Sequence, residues 1–210
     1  MKNWILFLAA ALSLQAQQIA TPRPSPRATV SQTVGVTDMT VSYHRPGVKG
    51  RTIWGELVPY GQVWRAGANE STTISFSDEV TINGQKIPAG LYGIQMIPEA
   101  NDWTVILTKD AKLWGSFNYK PENDAVRIKV KPTPGEMVER LRYTFEDVSD
   151  NSALLTMQWE KLKISFAIET DTPTLTFTKA RGDELGDFAA KVGMSVESLT
   201  SMQYAAEQLG

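Results

Sequence analysis

The sequence contains no cysteine and only one histidine, and these two shortages remove several classes of site. Without cysteine the chain can form no disulfide, no thiolate nucleophile, no zinc–thiolate site and no lipid anchor through a cysteine. His44 as the single histidine excludes histidine-rich metal sites, and any Ser/His/acid triad would have to use it. The sequence is therefore poor in the side chains that enzymes use most often. We expect no metal and no cofactor.

Neither sign of charge is in large excess. The chain has 21 Lys and Arg residues against 23 Asp and Glu residues, which gives a formal net charge of −2. Such a chain has no global field that would attract nucleic acid or an anionic membrane, so neither is an expected partner. Its 210 residues, 42% of them hydrophobic, have room for one sizeable domain with a core, or for one domain with a small appendage.

The beginning of the chain has the pattern of a signal peptide. Lys2 gives a positive start, an apolar run follows from Trp4 to Leu12, and Ala16 stands where a signal peptidase would cut. An apolar run of roughly ten residues is half of the roughly 20 that a membrane-spanning helix needs. We therefore predict a signal peptide at residues 1–16 and a periplasmic or extracellular protein without a transmembrane segment in its mature part. A buried N-terminal helix is the alternative.

After this leader the sequence divides into three parts. Residues 17–26 hold three prolines at alternate positions and predict an extended linker. Residues 27–172 predict a β-sandwich domain. Residues 173–210 change to a helical spacing that Gly193 divides into two helices, and they predict a helical tail.

The central part has the period of β-strands. Polar and apolar residues alternate with a period near two, and β-branched and aromatic residues are frequent. Asn83-Gly84 predicts a tight hairpin, because both positions of that turn need positive φ. A strand is expected from Arg140 to Phe145, and a last hairpin from Ala153–Trp159 and Lys163–Ile168. Roughly ten strands indicate an all-β fold, an antiparallel β-sandwich that is jelly-roll-like or barrel-like, with the strand order open.

One long segment, residues 45–70, follows neither a strand period nor a helix period. A structureless stretch of this length inside a compact domain is more often functional than decorative. Tryptophan rings flanked by guanidinium groups suit sugars, carboxylates or phosphate. The residues that we predict to bind a ligand are Arg45, Lys49, Arg51, Trp54, Trp64, Arg65, Asn69 and Glu70. The alternative is that the apolar residues of this segment cap one end of the β core while its arginines satisfy loop carbonyls.

Two further features of the sequence are a candidate catalytic residue and a second aromatic loop. Glu70 or His44 would be the acid or base of an enzyme, although no second carboxylate can be identified as a partner from the sequence. Residues 114–119, Trp-Gly-Ser-Phe-Asn-Tyr, form a second aromatic loop, which we expect to cap the core.

Several motifs together resemble a known family. They are the long run from Arg45 to Glu70, the shorter Ser25-Pro-Arg-Ala28, the stretch Asn83–Tyr92, and the pieces Trp103-Thr-Val and Trp114-Gly-Ser-Phe. Over about residues 25–170 the chain resembles the domain-of-unknown-function family 2911 (DUF2911). This resemblance implies an exported β-rich domain of Bacteroidota-type bacteria. The family has no established reaction, so no catalytic residue is implied.

The tail shows a second, partial resemblance. Residues 182–199, beginning Gly-Asp-Glu-Leu, are similar to the first two-thirds of a peptidoglycan-binding LysM module. The closing strand of that module is missing, and Glu184 replaces its usual threonine. A helical appendage packed on the sandwich is the alternative.

These observations favour an exported, non-enzymatic envelope protein that binds a saccharide, peptidoglycan or a small anionic ligand through the segment 45–70. Two other functions stay open. One is an enzyme acting on a saccharide or anionic substrate, with Glu70 or His44 as acid/base. In that case Arg45, Arg51 and Arg65 would hold the substrate charge, and all these side chains must converge on one cleft with tryptophan walls. The other is a structural protein that binds a partner through a sheet edge or the tail. The sequence does not specify the oligomeric state.

Overall fold

A computed structural model describes residues 21–171, 186–187, 189–191, 193–199 and 201. The predicted signal peptide and most of the tail fall outside the described residues. Helical residues occur at 186–187, 189–191, 196–199 and 201, in agreement with two short helices near the C-terminus. No helix in the described part of the chain has the length and apolar character that crossing a bilayer requires.

Ten β-strands and one short 3-10 helix (Pro121–Asn123) build the central domain. The strands are β1 (Arg27–Val34), β2 (Thr37–His44), β3 (Thr72–Phe76), β4 (Val80–Ile82), β5 (Gln85–Ile87), β6 (Gly90–Ile97), β7 (Trp103–Thr108), β8 (Asp124–Val130), β9 (Thr133–Glu146) and β10 (Ser152–Thr170). A six-stranded sheet has the order β1-β2-β3-β6-β7-β8, and a four-stranded sheet has the order β5-β4-β10-β9. All the neighbours in both sheets are antiparallel. The predicted antiparallel sandwich is confirmed.

Polar and apolar residues that alternate along a strand lie on opposite faces of its sheet. In β2, Met39, Val41 and Tyr43 are buried in the core, whereas Thr40 and Ser42 between them point to the outer face. Core residues of the other sheet, on β10, include Leu155, Phe166 and Ile168. Successive side chains of a strand point to opposite faces, so the sequence pattern indicates which residues face the space between the sheets.

The tight turn predicted at Asn83-Gly84 is confirmed. Ile82 pairs with Gln85, which leaves a two-residue loop between β4 and β5. The φ angles of Asn83 and Gly84 are 51° and 74°. Both values lie in the left-handed region that this type of hairpin turn requires.

Strand β10 turns back on itself. The Thr156 and Ser165 hydroxyls lie 2.9 Å apart, and the Thr170 amide donates to the Asn151 carbonyl at 2.8 Å. Residues nine apart on a straight strand would be separated by about 30 Å. The chain reverses at Glu160, which has a φ of 55°. The last hairpin predicted from the sequence is therefore present within this single run of extended residues.

Strand β9 begins earlier than the predicted Arg140. It starts at Thr133 and includes Pro134, which pairs with Leu162 of β10. Proline cannot donate to a neighbouring strand, but β9 lies at the edge of its sheet, where one side of the strand needs no such donor.

Most of segment 45–70 closes the sandwich. Ile53, Val58 and Ala66 are buried and belong to the hydrophobic core. The Trp54 ring lies 4.9 Å from that of Trp103 on β7, 5.7 Å from that of Trp159 on β10 and 5.8 Å from that of Trp64, between ring centroids. We call these four residues the tryptophan cluster. It joins the segment to both sheets, so the segment is part of the core.

The end of the predicted linker is held against the domain. The Asn69 side-chain amide donates to the Ser25 carbonyl at 3.1 Å, and the Arg45 backbone amide donates to the Pro26 carbonyl at 2.9 Å. Residues 23–26 are thereby fixed beside both ends of segment 45–70.

Candidate functional site

A cleft with a volume of about 620 Å³ lies on the outer face of the six-stranded sheet. Ser42 and His44 of β2 and Thr73 of β3 form part of its lining. They reach this face because they alternate with core residues such as Tyr43 and Ile74. The strand period therefore supplies a polar lining to the cleft.

A loop that follows β7, residues 109–118, forms one wall. The Ser71 amide donates to the Leu113 carbonyl at 3.0 Å, and the Ser116 hydroxyl donates to Gln95 Oε1 at 2.8 Å. This second contact helps to bury Gln95 completely on the outer face of β6. The loop can approach because β6 has Gly93, where a Cβ atom would lie 2.9 Å from the Asp110 carbonyl oxygen.

The N-terminal segment and β2 bring three charged or titratable side chains together in the cleft. Arg23 Nη1 donates to both Glu70 carboxylate oxygens, at 2.8 and 3.2 Å. His44 Nε2 lies 3.2 Å from Glu70 Oε2. Glu70 therefore lies between a guanidinium group and an imidazole ring.

The surroundings determine the protonation of Glu70 and His44. The hydrogen bond from Arg23 lowers the pKa of Glu70, so this carboxyl is ionised at neutral pH. Burial lowers the pKa of His44, although the Glu70 charge opposes this effect. A neutral His44 with its hydrogen on Nε2 turns that nitrogen toward Glu70, 3.2 Å away, and has Nδ1 as an acceptor. That Nδ1 atom is buried without a hydrogen-bond partner among the described residues.

The cleft also has an apolar side. Trp114 is 62% exposed, and its backbone forms an isolated antiparallel bridge with Glu70. Leu91 and Leu113 line the cleft beside it. The expectation that the second aromatic loop caps the core is wrong for Trp114 and for Phe117, which is 85% exposed. The loop is held by its backbone and by Ser116, and the rings of Trp114 and Phe117 face outward.

Two more cations line the cleft. Arg27, on β1, places Nη2 3.4 Å from the Ser42 hydroxyl, and Lys112 precedes the exposed tryptophan in the loop. Neither forms an ion pair with any residue in the described part of the chain.

Three of the predicted ligand-binding residues lie elsewhere. Arg45 donates from Nε to the Leu141 carbonyl at 3.0 Å, and Arg51 donates from Nη2 to the Gly47 carbonyl at 2.6 Å. Lys49 is exposed, and none of the three lines the cleft. The two arginines satisfy backbone carbonyls, as in the alternative interpretation of this segment.

The other predicted residues lie in the core or beside the cleft. Trp54 and Trp64 belong to the tryptophan cluster. Asn69 holds the N-terminal segment, as described above. Arg65 is partly buried, burial lowers the pKa of its guanidinium group, and its Nε has no hydrogen-bond partner among the described residues. Of the eight predicted ligand-binding residues, Glu70 alone lines the cleft, where it meets His44.

Sequence reasoning missed Arg23, Arg27, Lys112 and Trp114. No sequence pattern marks Arg23 or Arg27 as a cleft residue, because Arg23 lies in the proline-rich stretch and Arg27 is the first residue of a strand. Trp114 was noticed as part of an aromatic loop, but its exposure depends on how that loop crosses the sheet. Among the described residues no group of three His, Asp or Glu side chains is placed to hold a metal ion.

Comparison with known families places the chain in a family. A family model described as "Protein of unknown function (DUF2911)" matches residues 25–168, which include all ten strands except the last two residues of β10, and the whole lining of the cleft except Arg23. No curated protein and no solved structure matches the chain.

Proposed function

Since the chain belongs to the DUF2911 family, which carries no assigned activity, we propose a function from the cleft itself: the protein is exported and binds a saccharide between Trp114 and Glu70. The observation that carries this proposal is the exposed indole placed directly beside an ionised carboxylate and its guanidinium partner. The predicted signal peptide at residues 1–16 supports the export.

The chemistry of the cleft suits a sugar ring. The C–H face of a pyranose is apolar and packs on an indole, while its hydroxyls need donors and acceptors at the rim. Glu70 offers acceptors, Arg23 offers donors, and Ser42 and Thr73 offer hydroxyls that can do both. A ligand in this cleft would thus have one apolar contact and several polar ones.

The test is a pair of aromatic substitutions in one loop. Purified protein is titrated by calorimetry with oligosaccharides of glucose, galactose and N-acetylglucosamine, with their uronic acid and sulfated forms, and with peptidoglycan fragments. Trp114→Ala is expected to weaken binding at least about tenfold, which corresponds to about 1.4 kcal/mol. Phe117→Ala is the matched control, because Phe117 is the more exposed ring and does not line the cleft. Binding that survives Trp114→Ala, or no binding of any member, would refute the proposal.

An enzyme is the second candidate, because His44 and Glu70 do converge. However, Arg45 and Arg51 are directed elsewhere, and Glu70 is the one carboxylate among the described residues that line the cleft. Glycoside hydrolysis commonly uses two carboxylates that flank the bond. Analysis of the same oligosaccharides after long incubation separates the two functions. Products that disappear in Glu70→Gln would establish an enzyme, and intact oligosaccharides support a binding protein.

A further inference from the structure

The charge of the cleft is opposite to that of the chain. Its lining holds three cations, Arg23, Arg27 and Lys112, and one anion, Glu70. With His44 neutral, the lining has a net charge of +2, whereas the whole chain has −2. A concave surface lined by one sign of charge raises the local concentration of ligands of the opposite sign.

The three cations of the cleft differ in whether a carboxylate already neutralises them. Arg23 is neutralised by Glu70. Within the described residues, Arg27 makes a long contact with the Ser42 hydroxyl, at 3.4 Å, and neither Arg27 nor Lys112 forms an ion pair. These two side chains therefore keep donors and charge available for a ligand.

Arg27 and Lys112 lie in the same cleft as Trp114, the residue proposed to pack on the sugar ring. Lys112 lies two residues before Trp114 in the same loop, and Arg27 lies on β1, where it pairs with His44 of β2. A ring on the indole that also reaches Glu70 would lie in the same cleft as both cations. A neutral sugar would leave their charges uncompensated, while an anionic substituent would pair with them.

We propose that the saccharide is acidic and that Arg27 and Lys112 bind its carboxylate or sulfate group. This inference rests on the proposed function, since it names the class of sugar that the same cleft takes. Carboxylate and sulfate share the oxyanion chemistry that guanidinium and ammonium groups recognise. The two groups are separated by the test.

The test compares three forms of one oligosaccharide: a glucose oligomer, the corresponding glucuronate oligomer and the 6-O-sulfated oligomer. Calorimetric titrations are made at low and at high salt. At low salt, the Kd of one acidic form is expected to be lower than that of the neutral form by a factor of about ten or more. High salt should reduce this difference. The acidic form that binds more tightly identifies the anionic group.

Substitutions assign the preference to the two residues. The double variant Arg27→Gln with Lys112→Gln is expected to bind the acidic form about as weakly as the neutral form. Lys161→Gln is the control, because it removes an exposed charge at the turn of β10, on the other sheet, and should leave the preference unchanged. Circular dichroism of each variant verifies that it is folded.

The outcomes separate the two levels of the proposal. Equal binding of the neutral and acidic forms, lost in Trp114→Ala, overturns the acidic ligand and leaves the saccharide function standing. If the double variant keeps the full preference for the acidic form, the assignment of the anion to Arg27 and Lys112 is overturned, and the saccharide function again stands. If none of the three forms nor any other oligosaccharide binds, both proposals fail.

Discussion

Replacement of Trp54 by alanine tests whether segment 45–70 is part of the core. The Trp54 ring contacts three other indoles, at centroid distances of 4.9, 5.7 and 5.8 Å, and all three contacts are edge-to-face. One of these rings comes from the six-stranded sheet and one from the four-stranded sheet. Removing the indole would leave a cavity at the point where the segment joins the two sheets.

The magnitude follows from burial and from ring contacts. Truncation of a large aromatic residue in a core costs about 3–5 kcal/mol. Trp54 keeps some exposure to solvent, and its indole nitrogen has no hydrogen-bond partner among the described residues. We therefore expect the lower end of this range, a loss of about 3 kcal/mol in the free energy of unfolding. For a domain of this size the loss lowers Tm by about 6–12 °C.

The assay is urea denaturation followed by far-UV circular dichroism, because removal of an indole would itself change the fluorescence signal. Trp114→Ala is the matched control. It removes the same side chain from a position that is 62% exposed, where a change of about 0.5 kcal/mol or less is expected. The m value should stay constant, so that the change in midpoint reports stability alone.

The reasoning would be refuted by a Trp54→Ala protein that is folded and less than about 1 kcal/mol below the wild type. Such a result would mean that the segment covers the sandwich without filling it. Equal losses for Trp54→Ala and Trp114→Ala would also contradict the assignment of one ring to the core and the other to the cleft.

Three other substitutions test separate parts of the structure. Burial in the folded protein keeps the pKa of His44 below its usual 6.5. As pH falls, the imidazole is therefore protonated in the unfolded chain at a higher pH than in the folded protein, and the free energy of unfolding decreases below about pH 6.5. His44→Gln should flatten that part of a stability–pH curve, and an unchanged slope would contradict the assignment. Gly93→Ala would place a Cβ 2.9 Å from the Asp110 carbonyl oxygen and 3.0 Å from Thr108 Cγ2, and it should cost about 1–3 kcal/mol in urea denaturation; no loss would mean that the loop is not packed on β6. Gly84→Ala strains a residue with a φ of 74° and should cost about 1 kcal/mol, whereas a neutral result in the same assay would argue against the two-residue turn.

Local patterns of the sequence were sufficient for most of the strands and for the tight turn at Asn83-Gly84. Alternation along Met39–Tyr43 indicates which side chains of β2 enter the core, because the direction of a side chain depends only on its place in the strand. Asn83-Gly84 indicates a tight turn because few residues accept positive φ. Proline at the start of β9 misled the prediction, since its tolerance depends on the strand being an edge, which is a property of the sheet.

The cleft could not be predicted in this way. Arg23 and Glu70 are 47 residues apart in the chain, and their contact exists because the N-terminal segment is held beside Asn69. The arginines of segment 45–70 looked like ligand-binding groups in the sequence. Backbone carbonyls that only the folded chain provides bind Arg45 and Arg51 instead.

The sequence by itself determined the all-β class, the hairpins and the inward and outward faces of the strands, because these depend on φ preferences and on the alternation of neighbouring residues. Only the tertiary structure decided which of the described tryptophans fill the core and which one faces solvent, and which charges meet in the cleft. Those outcomes depend on contacts between residues far apart in the chain. Such contacts form only after the two sheets and their loops have come together.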